Sequence, residues 1–274
     1  MYSDILPHLA CPYCGLPLDL RQPSVDAGGE IVAGELACEG CAGRYPIREG
    51  VADFLGAPHP PTITQAINEQ AATAWAYERV WRPFALSLLS GESFTYRREL
   101  PLVARLVDPG RGGLYLDVAC SNGLYARAVA RNLRGVPGHV AGIDHALPFL
   151  KEARRYALAA GLRISYLRAR AQALPVAAGV AAGVLIGGSL NEIGDLGGCL
   201  TEVRRALRPD GRYVAMTLAR AATPSGRLFQ QLMGVGGVEF WSPEQLNAHF
   251  AQHGLRSVGR WQYGLVMFHL AVPS

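Results

Sequence analysis

The sequence predicts an α/β protein in which a doubly wound sheet follows a small cysteine-rich unit. Three observations predict it. From residue 113 onward, apolar strand-like runs alternate with amphipathic helix-like runs. The first fifty residues hold two C-x-x-C pairs, "CPYC" and "CEGC". Between these parts, "GAPHPPTIT" at 56–64 carries three prolines and cannot continue a helix or a sheet interior, so it marks the expected boundary. The expected units are 1–56, a linker and helical segment at 57–110, and a core at 111–274.

A chain of 274 residues suits one large domain with an appendage, and its 50% apolar content allows a sizeable core. The net charge of +4 is mild and makes no general case for nucleic acid. Lys151 is the sole lysine, so the basic residues are otherwise arginine. "MYSDILPHLACPYC" lacks a basic start and an apolar stretch, so no signal peptide is expected, and a cytoplasmic protein is. The uncharged run at 171–190 nearly has the length of a membrane span. Pro175 and its glycines interrupt it, and it reads as a loop followed by a buried strand.

Cys11, Cys14, Cys38 and Cys41 have the spacing of a zinc ribbon. Each pair sits on a tight turn that aims two thiolates the same way. Zinc binding supplies folding energy to a segment too small for a core of its own. Four thiolates fill the shell, so the site is expected to be structural. Its formal charge of about −2 could be offset by Arg21 or Arg44. The stretch "CPYCGLPL…LACEGCAGRYPIREGVADFL" resembles the Trm112-like zinc ribbons over about residues 8–55. Cys120 and Cys199 lie outside it, with no partner at ligand spacing, and read as loop or packing residues.

The segment after the prolines reads as helical, with Trp75, Tyr77, Trp81 and Phe84 clustered and Pro83 bending or ending one helix. The cluster is either packing or a lid over a substrate pocket; packing is the usual fate of an aromatic stripe. A second helix is expected over roughly 95–107, with Leu100, Val103, Leu106 and Val107 on its apolar face.

The core elements follow in order. "LYLDVA" is a strand and "LYARAVARNLR" an amphipathic helix. "HVAGID" is the second strand, and "PFLKEARRYALAAG" its helix. "RISYLRA" and "AAGVLIGGS" are the third and fourth strands. "LGGCLTEVRRALRPDG" is a helix closed by a Pro-Asp-Gly turn, and "RYVAMTLA" is the fifth strand. "SPEQLNAHFAQHG" has Ser242 as N-cap, Pro243 at the first helical position and a stop at Gly254. "LRSVGRW" and "GLVMFHLAV" are two closing strands. In such folds ligands sit beyond the carboxyl ends of the strands, where the strand order reverses.

The tight loop from Asp117 to Gly123 follows the first strand, and Asp144 ends the second, 27 residues later. Asp144 can accept both hydroxyls of a ribose or cap the helix in "GIDHALPFLKEA", and the two roles are compatible. This arrangement resembles the class I S-adenosylmethionine-dependent methyltransferases across about residues 70–274. The resemblance implies a Rossmann-like sheet with an antiparallel last strand. The family loop Asp-x-Gly-x-Gly-x-Gly is matched by Asp117, Ala119, Ser121 and Gly123, with Cys120 between. Ala119 and Ser121 add little bulk and are tolerable if their φ is negative, so the loop, small throughout, reads as working. His145 is expected to frame the adenine. Arg170, Ala171 and Gln172 stand where the family's third strand contacts the adenine amino group, and arginine, with no acceptor, cannot copy that contact. Gly188 completes the expected cofactor set, after the fourth strand. A zinc ribbon followed by "YERVWRP" and such a core also resembles a group of ribbon-bearing methyltransferases from bacteria and plastids.

Methyl transfer asks the protein chiefly to position donor and acceptor. For an O, N or acidic C acceptor that needs a base, Asn191 and Glu192, just past the fourth strand, are the best-placed polar pair. The plainer reading makes Glu192 a surface-loop residue. His249 and His253 fall on a late helix and read as surface or packing groups. Arg170 faces solvent or, less simply, pairs with a donor carrying an extra carboxylate.

Three functions compete. The first is methylation of a small aromatic, quinone-like or other hydrophobic acceptor, with S-adenosylmethionine as cofactor and zinc as structural metal. The second is methylation of RNA, with the ribbon helping to hold the nucleic acid. "RRYALAAGLRISYLRAR" is basic, but its apolar residues fall at core spacing. The third is a non-catalytic partner that keeps the fold without the cofactor.

Overall fold

A computed structural model describes residues 1–55, 82–133, 135–234 and 237–274. The expected linker, Trp75, Tyr77 and Trp81 lie outside the described residues.

The ribbon comprises β1 (Asp19–Val25), β2 (Ile31–Ala37), β3 (Arg44–Arg48) and β4 (Val51–Asp53). Then come the helices α1 (Arg82–Ser90) and α2 (Tyr96–Val107). Pro83 lies within α1. The core runs β5 (Gly113–Val118), α3 (Leu124–Asn132), β6 (Gly138–Asp144), α4 (Leu147–Ala159) and β7 (Ile164–Arg168). It continues with β8 (Ala181–Gly187), α5 (Leu196–Ala206), β9 (Leu207–Leu218), α6 (Pro224–Gly234), α7 (Pro243–Gln252), β10 (Leu255–Tyr263) and β11 (Val266–Pro273).

One sheet of eleven strands carries all of this, in the order β1-β2-β3-β4-β7-β6-β5-β8-β9-β11-β10. Strands β4 to β9 in that order pair parallel, and β11 runs antiparallel to β9. The order reverses at β5, which places a ligand crevice at its carboxyl end.

The strand pleat assigns the two faces. On β5, Leu114, Leu116 and Val118 pack with α5, α7 and the ribbon, whereas Tyr115 packs with α2, α3 and α4. The α2 stripe is Val103, Leu106 and Val107, all buried, with Leu100 half-buried. The residues 181–187 form a buried strand, as their composition suggested. Among the described residues no helix is long and apolar enough to cross a membrane. Helix α5 ends at Ala206, earlier than the Pro-Asp-Gly turn suggested. Pro209 disfavours helical backbone at Arg208, and the chain is already extended there. Ser242 closes α7 with a capping box to Gln245.

The ribbon is joined to the core by more than sequence. Val51, Ala52 and Asp53 of β4 pair with Tyr166, Leu167 and Arg168 of β7. Ile5, Leu9, Ile47 and Phe54 share one apolar cluster with Ala141, Ile143 and Leu167. Arg154 of α4 grips Glu30 with two hydrogen bonds of 2.8 and 2.6 Å. Lys151–Glu49, Arg163–Asp4 and Arg168–Asp53 add ion pairs across the same seam. Buried His139 meets Ser165 Oγ, which also accepts the Tyr2 N–H, and burial lowers the His139 pKa to about 4.

Candidate functional sites

The four ribbon cysteines converge. Their sulfurs lie within 4.8 Å of one another, with Cys11–Cys41 at 3.4 Å and Cys14–Cys38 at 3.3 Å. Zinc–sulfur bonds of about 2.3 Å in a tetrahedron require edges of roughly 3.8 Å, so the donor set fits zinc. Backbone turns aim the thiols: Gly15 N–H donates to Cys11 O, and Cys38 N–H to Gly43 O, both at 2.8 Å. The Tyr45 hydroxyl stands 3.0 Å from Cys11 Sγ and orients it. Arg21 and Arg44 instead pair with Glu39 and Glu35. Cys199 is buried on α5 as a packing residue.

The second site is the loop after β5. Ala119 and Ser121 adopt φ of +53° and +47°, so the expectation of negative φ is corrected. The chain needs a tight reversal here, and only left-handed backbone makes it. Gly123 is left-handed too, and a Cβ there would sit 3.0 Å from the Tyr166 hydroxyl. Two carboxylates hold the loop. Asp144 Oδ2 accepts the Ser121 N–H at 2.8 Å, and its Oδ1 accepts the Ala146 N–H at 2.9 Å. Asp144 therefore ties the loop to the entrance of α4. As a carboxylate it keeps acceptor capacity beyond these two bonds. Asp117 Oδ2 accepts the Ala126 N–H at 2.8 Å, and complete burial pushes its pKa up to about 7. Cys120 is buried, its N–H bonded to Ile143 O, and burial raises its thiol well above the usual range.

A pocket of about 330 Å³, including its open mouth, lies against this loop. Asp117, Ala119, Cys120, Ser121 and Asn122 line it from the core. Leu124, Tyr125 and Gly187 complete that wall, and Arg82 faces them from α1. Arg82, Tyr125 and Glu99 were not legible as site residues. Arg82 Nη2 donates to Glu99 Oε1 at 2.8 Å, and the Tyr125 hydroxyl donates to the same oxygen at 2.5 Å. One signal existed: Glu99 falls on the buried stripe of α2, four and seven residues before Val103 and Leu106. A charge on such a stripe demands a partner.

The remaining candidates fall elsewhere. His145 stands beside Asp144, its Nδ1 3.5 Å from Oδ1, with a buried Nε2 that has no hydrogen-bond partner among the described residues. Gly188, with φ of +97°, donates its N–H to Met216 O at the end of β8. Arg170 is exposed and forms no ion pair among the described residues; Ala171 is buried. Gln172 spends its amide nitrogen on Ile193 O and Asp195 O, both at 3.1 Å. None of the three lines the pocket at the loop.

Asn191 requires a correction. It is buried, and its amide nitrogen donates to Leu218 O at 3.0 Å and Glu239 O at 2.6 Å. Its oxygen accepts the Leu218 N–H at 2.8 Å. With these three hydrogen bonds the side chain fastens the end of β9, a holding role rather than the catalytic one expected. Glu192 next to it keeps exposed surface, yet the protein crowded around its carboxyl raises the pKa by desolvation. His249 and His253 lie on and just after α7; His253 Nδ1 is 3.1 Å from Thr201 Oγ1.

A parallel sheet reversing at β5, a strained small-residue loop and an acidic residue closing β6 together define a nucleoside-cofactor site. Comparison with known proteins agrees: residues 116–211 match the methyltransferase domain family, and residues 3–50 the Trm112p-like proteins. The chain belongs to the class I S-adenosylmethionine-dependent methyltransferases and carries an N-terminal Trm112-like zinc ribbon. An uncharacterized chloroplastic methyltransferase of Arabidopsis thaliana is 25% identical over 223 residues, 77% of this chain. The match spans 62% of that protein's own length. A demethylmenaquinone methyltransferase of Lactiplantibacillus plantarum is 32% identical, covering 58% of this chain and 78% of its own. A Micromonospora griseorubida protein named as a 23S rRNA (guanine-N(1)-)-methyltransferase is 30% identical, covering 79% and 68%. A solved complex of the Haloferax volcanii Trm112 methyltransferase activator with a methyltransferase shares the fold. Its TM-score is 0.56 at 14% identity, over 78% of this chain and 99% of that one.

Proposed function

We propose that this chain methylates a small hydrophobic acceptor of quinone-like or phenolic character. The observation that carries this is the use made of the basic residues. On and beside the ribbon, Arg21, Arg44, Lys151, Arg154, Arg163 and Arg168 each face a carboxylate. Cations neutralised in this way do not form the open basic stripe that phosphate backbones require. Helices α1 and α6 meanwhile expose Phe84, Leu88 and Leu228, with α1 bordering the pocket through Arg82. The demethylmenaquinone methyltransferase likeness supports the same acceptor class.

S-adenosylmethionine, when bound, supplies an electrophilic methyl group and departs as a neutral thioether. The loop 119–122 would lie against its methionine part, and Asp144 and His145 would hold its ribose and adenine. Gly123 and Gly188 let the backbone approach closely. Glu192, made more basic by its surroundings, takes the proton that the acceptor oxygen or acidic carbon loses on methylation. The fused ribbon is a built-in support for the core rather than a separate subunit.

The test is transfer of labelled methyl from S-adenosylmethionine to demethylmenaquinone-like phenols and, in parallel, to ribosomal RNA. Label in the organic extract supports the proposal. Label confined to RNA, with affinity falling steeply in salt, replaces it with the second reading. That reading is favoured by the rRNA-methyltransferase likeness, which spans 79% of this chain.

A further inference from the structure

Three strands end side by side at the carboxyl edge of the sheet, and each end carries a charge. Asp53 closes β4, Arg168 closes β7 and Asp144 closes β6, and the ladders set Arg168 directly opposite both acids. Asp53 belongs to the ribbon, and Asp144 to the candidate cofactor site. The Arg168 side chain joins the two. Its Nη1 donates to Asp53 Oδ2 at 3.0 Å, and its Nε donates to the His145 carbonyl at 2.9 Å. Asp53 is itself held, because its Oδ1 accepts the Leu55 N–H at 3.0 Å. The backbone continues the ladder on both sides: Phe54 N–H donates to Arg168 O at 2.8 Å, and Ala169 N–H to Asp144 O at 3.0 Å. A guanidinium is planar and rigid, so a carboxylate that fixes one arm also aims the other.

The other bonds of Asp144 run to Ser121 N–H and Ala146 N–H, which orient its carboxylate within its own turn and loop. The Arg168 bond to His145 O orients that turn against the sheet. Without Asp53, Arg168 is a long side chain with rotamer freedom to regain. We infer that Arg168 and the ribbon's Asp53 are positioning residues for ribose recognition, acting through the 144–146 turn. The inference rests on the cofactor reading above, in which Asp144 accepts the ribose hydroxyls. It makes the end of the last ribbon strand a part of the cofactor site at one remove. It also predicts an effect confined to the sugar: S-adenosylhomocysteine carries the 2′-hydroxyl, and its 2′-deoxy analogue is otherwise the same molecule.

Calorimetric titration of the zinc-loaded full chain with both ligands tests this. The wild-type protein should prefer S-adenosylhomocysteine, because the analogue leaves an acceptor without its hydroxyl. In D53N and in R168K, which keeps the charge without the two-armed donor, affinity for S-adenosylhomocysteine should fall about fivefold, the scale of one hydrogen bond. The analogue should bind as it does to wild type, which also shows that the variants are folded. The double variant D53N/R168K should lose no more than either single one, since both act through one chain of contacts. Unchanged affinity and preference in the variants overturn the inference. So does equal weakening of both ligands, the signature of a merely structural role, and so do losses that add in the double variant. Wild-type protein that binds neither ligand overturns the cofactor reading and this inference with it. Wild-type protein that binds both equally removes Asp144 from the ribose and overturns the inference, while cofactor binding stands.

Discussion

Replacing Ala119 and Ser121 by glycine should stabilise this protein, although glycine usually does the reverse. Both residues hold left-handed backbone, at φ of +53° and +47°. That conformation costs a residue with a Cβ roughly 1–2 kcal/mol. Glycine removes this cost but adds about 0.5–1 kcal/mol of unfolded-chain entropy. The net gain is about 0.5–1 kcal/mol per site from these two terms. At about 2–4 °C per kcal/mol for a chain of this size, the double variant should melt on the order of 2–8 °C higher. The sites share one loop, so the single variants must be measured too. Differential scanning calorimetry reads the shift, and titration with S-adenosylhomocysteine should show unchanged affinity, because the backbone already holds the needed path. A melting temperature lowered at both sites, as for an ordinary Ala→Gly change, would refute the strained-loop account.

Three other perturbations separate structural from chemical roles. C14S or strong chelation should remove about one zinc per chain by elemental analysis, and should lower the melting of the whole protein in one transition, because β4 and Glu30 tie the ribbon to β7 and α4. Asp117 binds its proton more tightly folded, at about 7, than unfolded, at about 3.9. Its contribution to stability is therefore full below about pH 4 and lost as pH rises to about 7, and D117N should flatten the slope of denaturant midpoint against pH across that window. N191A should cost about 2–4 kcal/mol in denaturant titration by stranding buried backbone groups, while E192Q should leave stability within about 0.5 kcal/mol and slow turnover by about 10²–10⁴. An N191A protein of undiminished stability that cannot turn over would restore Asn191 to the chemistry.

By itself the sequence determined what depends on local spacing. The two C-x-x-C pairs announce a four-thiol site because ligand geometry is set over a few residues. The strand and helix order from 113 onward is legible because side-chain periods of 2 and 3.6 repeat within each element. Asp117 and Asp144 could be found because each ends an apolar strand. What the sequence could not show depends on where distant segments meet. Arg82, Glu99 and Tyr125 belong to three helices, and only packing brings them onto one carboxylate. Asn191 looked available for chemistry until the end of β9 and residue 239 took up its hydrogen bonds. The sign of φ at Ala119 and Ser121 follows from the anchoring of their loop by Asp144, 23 residues beyond Ser121. The union of ribbon and core in one sheet was decided last, because the edge of β7 has unpaired backbone groups that β4 satisfies. Local periodicity names the elements; hydrogen-bond demand and burial across the chain choose their partners.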